Sequence, residues 1–457
     1  MDTIVALASP SGVGAINVLR LSGGRAFECA RKILHQENEI DSFEPRRVYL
    51  RKLRDENLLD RALIIFFPGP NSYTGEDVVE IHCHGGEVIS NRIISALIRH
   101  GCRLAVAGEF TRRAVENGKM DLLQAEAVHD LILAESPAAA DNALRQLDGE
   151  LSTKIRLLRE QLIKIAALLE LELDFAEEDI RFAEHREIDD KLKQVSAAVQ
   201  QLLSTYEKGR GLRRGLRVAI IGKPNVGKSS LLNAIVGSER AIVSSQPGTT
   251  RDYIEEVVEI GKIRFRFIDT AGIRKSDEEI EQEGIARTKR RIQDADILLF
   301  VLDVASTFDE HDHEISRECE MACAADISKK IILVKNKIDL EKKLNGEVVP
   351  KAEEIVSISA LSKQGVDELL RTISTIAQKY FSAIKDEVFI TNLRQKNALD
   401  KALGFIQFAM QSSGNKLSGE FIARDLRAAA DELAGLLGEI TSEHILDEIF
   451  ANFCIGK

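Results

Sequence analysis

No stretch of this chain is apolar for long enough to cross a membrane. The longest apolar run, Ile297 to Ala305, is broken at Asp303 and falls short of the roughly 20 residues that a membrane helix needs. The first residues carry an acidic Asp2 where a secretory signal would carry lysine or arginine, so a cytoplasmic protein is expected. Cysteine is sparse. The six cysteines, at 29, 83, 102, 319, 323 and 454, have no C-x-x-C spacing and read as reduced thiols rather than a disulfide framework. Neither a low-complexity tract nor a fixed-period repeat is present, so the composition is that of an ordinary soluble protein. An excess of positive charge is missing too. At a net −11 the molecule as a whole repels a phosphate backbone, and any nucleic-acid contact needs a local basic patch or a partner.

What is present is a chain of 457 residues, 44% hydrophobic, with room for about three domains of roughly 150 residues each. Residues 1–118 alternate short β-rich runs (TIVAL, AINVLRLS, RALIIFF, DVVEIHCH) with glycine and proline punctuation, around one helical stretch, VISNRIISALIRHG. A compact α+β domain is expected there. From Asp121 to about Lys208 glycine almost disappears, and runs such as QAEAVHDLILAES and LREQLIKIAALLELELDF keep helical periodicity. KGRGLRRGLR, at 208–217, reads as a break in the helix, a solvated hinge. LRVAIIG then opens an alternation of strands and helices that runs to about Lys379, the pattern of a parallel sheet with crossover helices. Helical texture resumes in NLRQKNALDKALGFIQFAM and FIARDLRAAADELAGLLGEI. The economical reading is a multidomain α/β chain: an N-terminal α+β domain over 1–118, a helical domain split between 119–210 and 380–457, and an α/β domain inserted at 211–379 through an exposed loop.

The inserted segment carries phosphate-binding chemistry. G-x-x-x-x-G-K-S is complete from Gly222 through Asn225, Val226, Gly227 and Lys228 to Ser229, directly after a strand and before the helix SSLLNAIVG that begins at Ser229 and Ser230. Glycines let the backbone turn tightly so that its N–H groups face phosphate oxygens. Lys228 can neutralise the β- and γ-phosphates, and the Ser229 hydroxyl can bind Mg²⁺. Downstream, FRFIDTAG supplies Asp269, a carboxylate for the Mg²⁺ shell, followed by Thr270, Ala271 and Gly272, whose N–H can meet the γ-phosphate. IILVKNKID supplies Asn336, Lys337 and Asp339. Guanine presents N–H donors at N1 and N2, which one carboxylate satisfies together; adenine lacks that pair and would leave Asp339 unpaired. The Lys337 stem can cover the face of the base, and VSISALS offers a backbone N–H near Ser359 and Ala360 to the guanine O6. A Ras-like G domain is expected, of the kind found in the translation-factor-related GTPases.

The position after DTAG, where Ras-like GTPases place a water-orienting glutamine, is Ile273. An apolar side chain cannot orient water, so hydrolysis needs another device. The carbonyl of Asn225, with loop carbonyls from SSQPGTTRD at 244–252, can coordinate a monovalent cation beside the phosphates; alternatively Asn225 braces the loop. Thr250 is the candidate second hydroxyl on Mg²⁺, and Glu281, one of several acids in SDEEIEQEG, is a candidate for positioning water.

PGPNSYTGEDVVEIHCHGG, NGKMDLLQAEA, the inserted G domain with GTTRD and the terminal CIGK together resemble the MnmE (TrmE) family of tRNA modification GTPases over essentially the full length. The resemblance implies a homodimer that works with an MnmG-like FAD-containing partner on tRNA. The product it implies is a carboxymethylaminomethyl or aminomethyl group at C5 of a wobble uridine, with carbon from a 5,10-methylene- or 5-formyl-tetrahydrofolate. It implies K⁺-dependent GTP hydrolysis accompanying G-domain dimerisation, with K⁺ on Asn225, Ser244, Gln246 and Thr249 and Mg²⁺ on Ser229 and Thr250. The loop Ser244, Ser245, Gln246, Pro247, Gly248, Thr249 then lies at the nucleotide, and Glu281 assists hydrolysis. Folate contacts fall on Arg20, Glu80, Lys119 and the terminal Lys457. Cys454 becomes a candidate nucleophile, with Gly456 giving the tail freedom to swing. His82-Cys83-His84 looks like a metal cluster, but neighbours on a strand point to opposite faces, so packing is expected; packing is also expected for Cys319 and Cys323. Two other readings stay open: a ribosome-assembly or regulatory GTPase acting as a binding switch, and a folate-binding regulator whose G domain only mediates assembly.

Overall fold

Short β-rich runs build the first sheet, and apolar runs such as LRVAII, ILLFVLD and KIILVKN build the middle of the second. In this computed structural model the described residues are 2–34, 44–134, 136–174, 185–238, 242–243, 256–261, 263–268, 289–325, 329–341, 352–382, 387–415, 417–440, 443–451, 453 and 455–456. The chain divides into two units. One comprises residues 1–132, 143–199 and 398–457, the other residues 133–142 and 200–397.

In the first unit, β1 (Thr3–Leu7), β2 (Ile16–Ser22), β3 (Val48–Asp55), β4 (Asn57–Phe67), β5 (Val78–His84) and β6 (Cys102–Leu104) form a six-stranded sheet in the order β3-β4-β5-β2-β1-β6. All neighbours are antiparallel except β1 and β6. Val5, Leu19, Leu21, Val79 and Ile81 point to one face and pack with residues of the helices Ala26–Lys32 and Glu87–Arg99. The alternate residues point to the other face, where Ile4 and Ala6 meet Phe110 of the helix Glu109–Glu116. Arg20 and Glu80 stand on that second face, directly opposite each other in the β2–β5 register. The same unit holds the helix Glu150–Asp174 alongside Gly419–Leu437. The latter starts at Ser418, whose hydroxyl accepts the Glu420 N–H, and stops at Gly438 with φ +82, the side-chain cap and left-handed exit that delimit a helix.

In the second unit, β7 (Leu216–Ile221), β8 (Ile242–Val243), β9 (Glu256–Ile260), β10 (Ile263–Phe267), β11 (Ile297–Asp303), β12 (Lys330–Asn336) and β13 (Glu354–Ser357) form a seven-stranded sheet in the order β13-β12-β11-β7-β10-β9-β8. Strands β13, β12, β11, β7 and β10 run parallel, whereas β9 and β8 join antiparallel at one edge. β11 is buried along Ile297–Leu302, as a strand covered on both faces must be. Helices Lys228–Val236, Glu310–Ala325 and Val366–Ser382 complete this α/β unit.

The segment KGRGLRRGLR is not a hinge. Residues Tyr206–Arg214 are helical, and the strand follows after a single Gly215. Its glycines serve close packing: a Cβ on Gly209 would sit 2.0 Å from the Ile390 carbonyl oxygen, and one on Gly211 would sit 3.0 Å from Leu216 Cδ2. Nor is Arg210 solvated. It pairs with Asp296 at 2.9 Å and with Glu207 at 2.8 Å, with only 13% of its side chain exposed. Strand β3 was not legible in advance, because VYLRKLRD interleaves cations and becomes a strand by pairing with β4.

Candidate functional site

The phosphate loop leaves the carboxyl end of β7, the middle strand of the seven, and carboxyl ends of strands are where open α/β sheets receive ligands. Three of its residues have left-handed φ: Gly222 at +147, Asn225 at +62 and Gly227 at +98. Glycine is required at both ends. A Cβ at 222 would lie 2.4 Å from the Val301 carbonyl oxygen, and one at 227 would lie 2.3 Å from Asn336 Nδ2. Asn225 is exposed, with its side-chain oxygen available to a cation. The helix Lys228–Val236 begins without a side-chain cap, so its first N–H groups suit an anion. Lys228 Nζ donates to the carbonyls of Gly222 at 3.0 Å and Lys223 at 2.6 Å. Ser229 and Ser230 are exposed in the first turn.

The base side is assembled at the ends of β12 and β13. Asn336 is buried; its Nδ2 donates to the Val226 carbonyl at 2.8 Å, and its Oδ1 accepts the Ala360 N–H at 2.9 Å. The Ala360 N–H, expected to face the guanine O6, is thus held by Asn336. Lys337 has φ +67, and its Nζ donates to Asp303 Oδ2 at 2.7 Å. Asp303, at the end of β11, escaped the motif reading; an aspartate closing an apolar strand was its only sequence signal. Asp339 lies beyond the strand end and is exposed. Ser359 is buried, donating its N–H to the Gln364 carbonyl at 2.9 Å and accepting the Ser362 N–H on Oγ at 3.2 Å. The structure therefore brings Val226, Gly227, Asn336 and Ala360 together. Ser244, Ser245, Gln246, Pro247, Gly248, Thr249, Thr250, Asp269, Thr270, Ala271, Gly272 and Glu281 lie outside the described residues.

On the sheet of the first unit, Arg20 Nε and Nη2 donate to Glu80 Oε1 at 3.1 and 2.8 Å. The guanidinium carbon lies 5.2 Å from the Tyr73 ring centroid and 5.9 Å from that of Phe110. Tyr73 and Phe110 were not singled out from sequence. Burial pushes the Tyr73 phenol above its ordinary value, against the opposing hydrogen bond from Thr111 at 2.9 Å and the Arg20 charge. Among the described residues Arg20 Nη1 is buried with no hydrogen-bond partner. An unused guanidinium donor and a carboxylate side by side are the pair that a planar ligand with both acceptors and N–H groups would engage, as a pterin would. Lys119 is exposed, its stem beside Gly75 in the loop that also carries Tyr73: a Cβ at Gly75 would lie 3.4 Å from Lys119 Cδ.

The tail approaches this same sheet. Phe453 is buried and stacks on His129 with centroids 4.8 Å apart, Ile455 pairs antiparallel with Ala107, and Gly456 is buried with φ +98. A Cβ at 456 would sit 2.1 Å from the Leu7 carbonyl oxygen. Gly456 therefore permits close approach rather than a swing. Leu7 neighbours Ala6, the cross-strand partner of Arg20. Cys454 and Lys457 lie outside the described residues.

His82 and His84 do not build a metal centre. His82 Nε2 is 3.5 Å from Glu80 Oε2, His84 Nδ1 is 2.7 Å from Asp60 Oδ1, and Cys83 points into the core. Among the described residues no group of three or more His, Cys, Asp or Glu could hold a metal ion, and no helix is long and apolar enough to cross a membrane. The oxygen donors Asn225 and Ser229 beside the phosphate loop are the hard ligands that K⁺ and Mg²⁺ take.

Residues 122–454 match a family model described as the MnmE helical domain, and residues 3–119 match one described as the GTP-binding protein TrmE N-terminus. The tRNA modification GTPase MnmE of Chlorobium phaeobacteroides is 41% identical, covering 100% of this chain and 97% of the relative. That of Clostridioides difficile is 40% identical, covering 100% and 99%. Among solved structures, the FeoB G-domain from Methanococcus jannaschii aligns with 36% of this chain and 98% of its own at 25% identity, with a TM-score of 0.25.

Proposed function

This chain belongs to the MnmE family of tRNA modification GTPases, and on that ground we propose that it hydrolyses GTP at the loop Gly222–Ser229 to drive one-carbon chemistry on tRNA. The product is a carboxymethylaminomethyl or aminomethyl group at C5 of a wobble uridine, and the carbon comes from a tetrahydrofolate derivative. The chain works in the cytoplasm as a homodimer with an MnmG-like flavoprotein. Its domains are 1–118 for folate and dimerisation, 119–210 with 380–457 for the helical body, and 211–379 for the G domain.

In this reading Asp339 accepts guanine N1–H and N2–H, and Lys337, oriented by Asp303, covers the base. The loop amides and Lys228 bind the phosphates. Ser229 and Thr250 hold Mg²⁺ beside Asp269, while Asn225, Ser244, Gln246 and Thr249 hold K⁺, which supplies positive charge at the transferring phosphate. Glu281 positions water. Arg20 and Glu80 orient the pterin beside Tyr73, and Lys119 and Lys457 meet the anionic glutamate end. Cys454 is the nucleophile that adds to uracil C6 or carries the unit.

One observation carries the nucleotide reading: a single buried side chain, Asn336, holds both the phosphate loop and the base loop. Calorimetry tests it. GTP binds and ATP does not; equal binding of the two overturns the assignment. Asp339→Asn exchanges an acceptor for a donor and moves preference from guanine to xanthine, whose C2 carries an oxygen. Hydrolysis is faster in KCl than in NaCl, and equal rates remove the cation role of Asn225.

A further inference from the structure

We propose that Lys223 is a positioning residue for GTP, its side chain pinned by Asp309 and Asp312 so that the phosphate loop keeps the form that takes the nucleotide. The proposal rests on the reading that Gly222–Ser229 holds the phosphates. Lys223 Nζ lies 2.8 Å from Asp309 Oδ2 and 2.6 Å from Asp312 Oδ2. The two carboxylates open the helix Glu310–Ala325 and cap each other: the Asp309 N–H donates to Asp312 Oδ2 at 3.2 Å, and the Asp312 N–H donates to Asp309 Oδ1 at 3.3 Å. Asp312 is 1% exposed, and among the described residues its Oδ1 is buried without a hydrogen-bond partner. A carboxylate so deeply buried needs a cationic or hydrogen-bonding partner. The ammonium of Lys223 is that partner, and it is committed to the helix.

Pinning the side chain fixes the main chain next to it. The Lys223 carbonyl accepts the Lys228 ammonium at 2.6 Å, with Gly222 O at 3.0 Å, so the lysine expected to meet phosphate is oriented by a residue tied to another element. Left-handed φ at 222, 225 and 227 makes the loop a form that a free chain leaves readily. Asn336 ties its far part through Val226, and Lys223 ties its near part. Committed to two carboxylates, Lys223 does not itself contact phosphate, so its effect is on position.

The test compares Lys223→Met, Lys223→Arg and Lys223→Met/Asp312→Leu in the full chain, by steady-state GTP hydrolysis and fluorescent GDP binding. Loss of a charged hydrogen-bonding partner is expected to raise the KM for GTP about tenfold in Lys223→Met, with kcat falling by less. Lys223→Arg, which reaches both carboxylates, stays within about twofold of the parent. The double variant strands no buried charge, so its melting temperature recovers while its KM stays raised. A normal KM in the double variant overturns the proposal, because the single variant's defect then came from the stranded Asp312 charge. A fall in kcat with unchanged KM overturns it as well. Lys228→Ala, run alongside, loses binding; if it binds GDP like the parent, the phosphate-loop reading itself fails.

Discussion

Asn336 donates from Nδ2 to the main-chain oxygen of Val226 at 2.8 Å, across 110 positions of sequence. Its Oδ1 meanwhile accepts the Ala360 N–H. Phosphate loop and base loop are thereby joined through one amide.

Asn336→Ala removes both bonds and strands a carbonyl and an N–H, at about 1–3 kcal/mol for each buried group. GDP affinity is expected to fall by at least about tenfold, read by fluorescence titration. Asn336→Asp falls further, since a carboxylate then faces the Val226 carbonyl. Parent-like affinity in Asn336→Ala would show that the joint is incidental.

Two helical glycines separate packing from propensity. Gly404 has no atom within 4 Å of a built Cβ, and Gly404→Ala is expected to stabilise by about 0.5–1 kcal/mol. Gly209→Ala gains the same propensity but drives a methyl into the Ile390 carbonyl, and overpacking of about 1–3 kcal/mol outweighs it. Urea unfolding reads both signs.

Gly456→Ala places a Cβ 2.1 Å from Leu7 O, at a φ that disfavours side chains. Backbone on both sides cannot yield as a flexible side chain would, so the tail shifts. Uridine modification is expected to drop by on the order of 100-fold, as misplacement of a reacting group does, with GTP turnover unchanged. Full modification activity would remove the tail from the chemistry.

Burial pushes the Cys83 thiol up to about 11 and the Cys319 thiol up to about 12. Both stay protonated at pH 8, and alkylation followed by mass spectrometry labels them only after unfolding. The fold favours the neutral thiol. Its contribution is therefore intact below the unfolded thiol value, about 8.5, and is lost as pH rises above it. Rapid labelling of native Cys83 at pH 8 would contradict this.

Strands β1, β2, β4 and β5 were legible as short β-rich runs set off by glycine and proline, and β11 and β12 as apolar runs within the strand–helix alternation. The short helix Ala26–Lys32 and strand β3 were not, since neither has a local signal strong enough to stand without neighbours. Glycine misled twice. At 209 and 456 it reads as a breaker or a joint, yet at both positions it lets two backbones touch.

By itself the sequence determined which chemistries are available and in what order: the glycine-lysine-serine loop, the Asn336-Lys-Ile-Asp339 run, the cationic and thiol-bearing tail. These depend on residue type and short spacing, which a linear chain states outright. Only the tertiary structure decided that Asn336 reaches Val226, that Glu80 faces Arg20, and that Lys223 is spoken for by Asp309 and Asp312. Such pairings join residues far apart in the chain. They exist because sheet register and helix packing bring the atoms within bonding distance, and no local propensity encodes that.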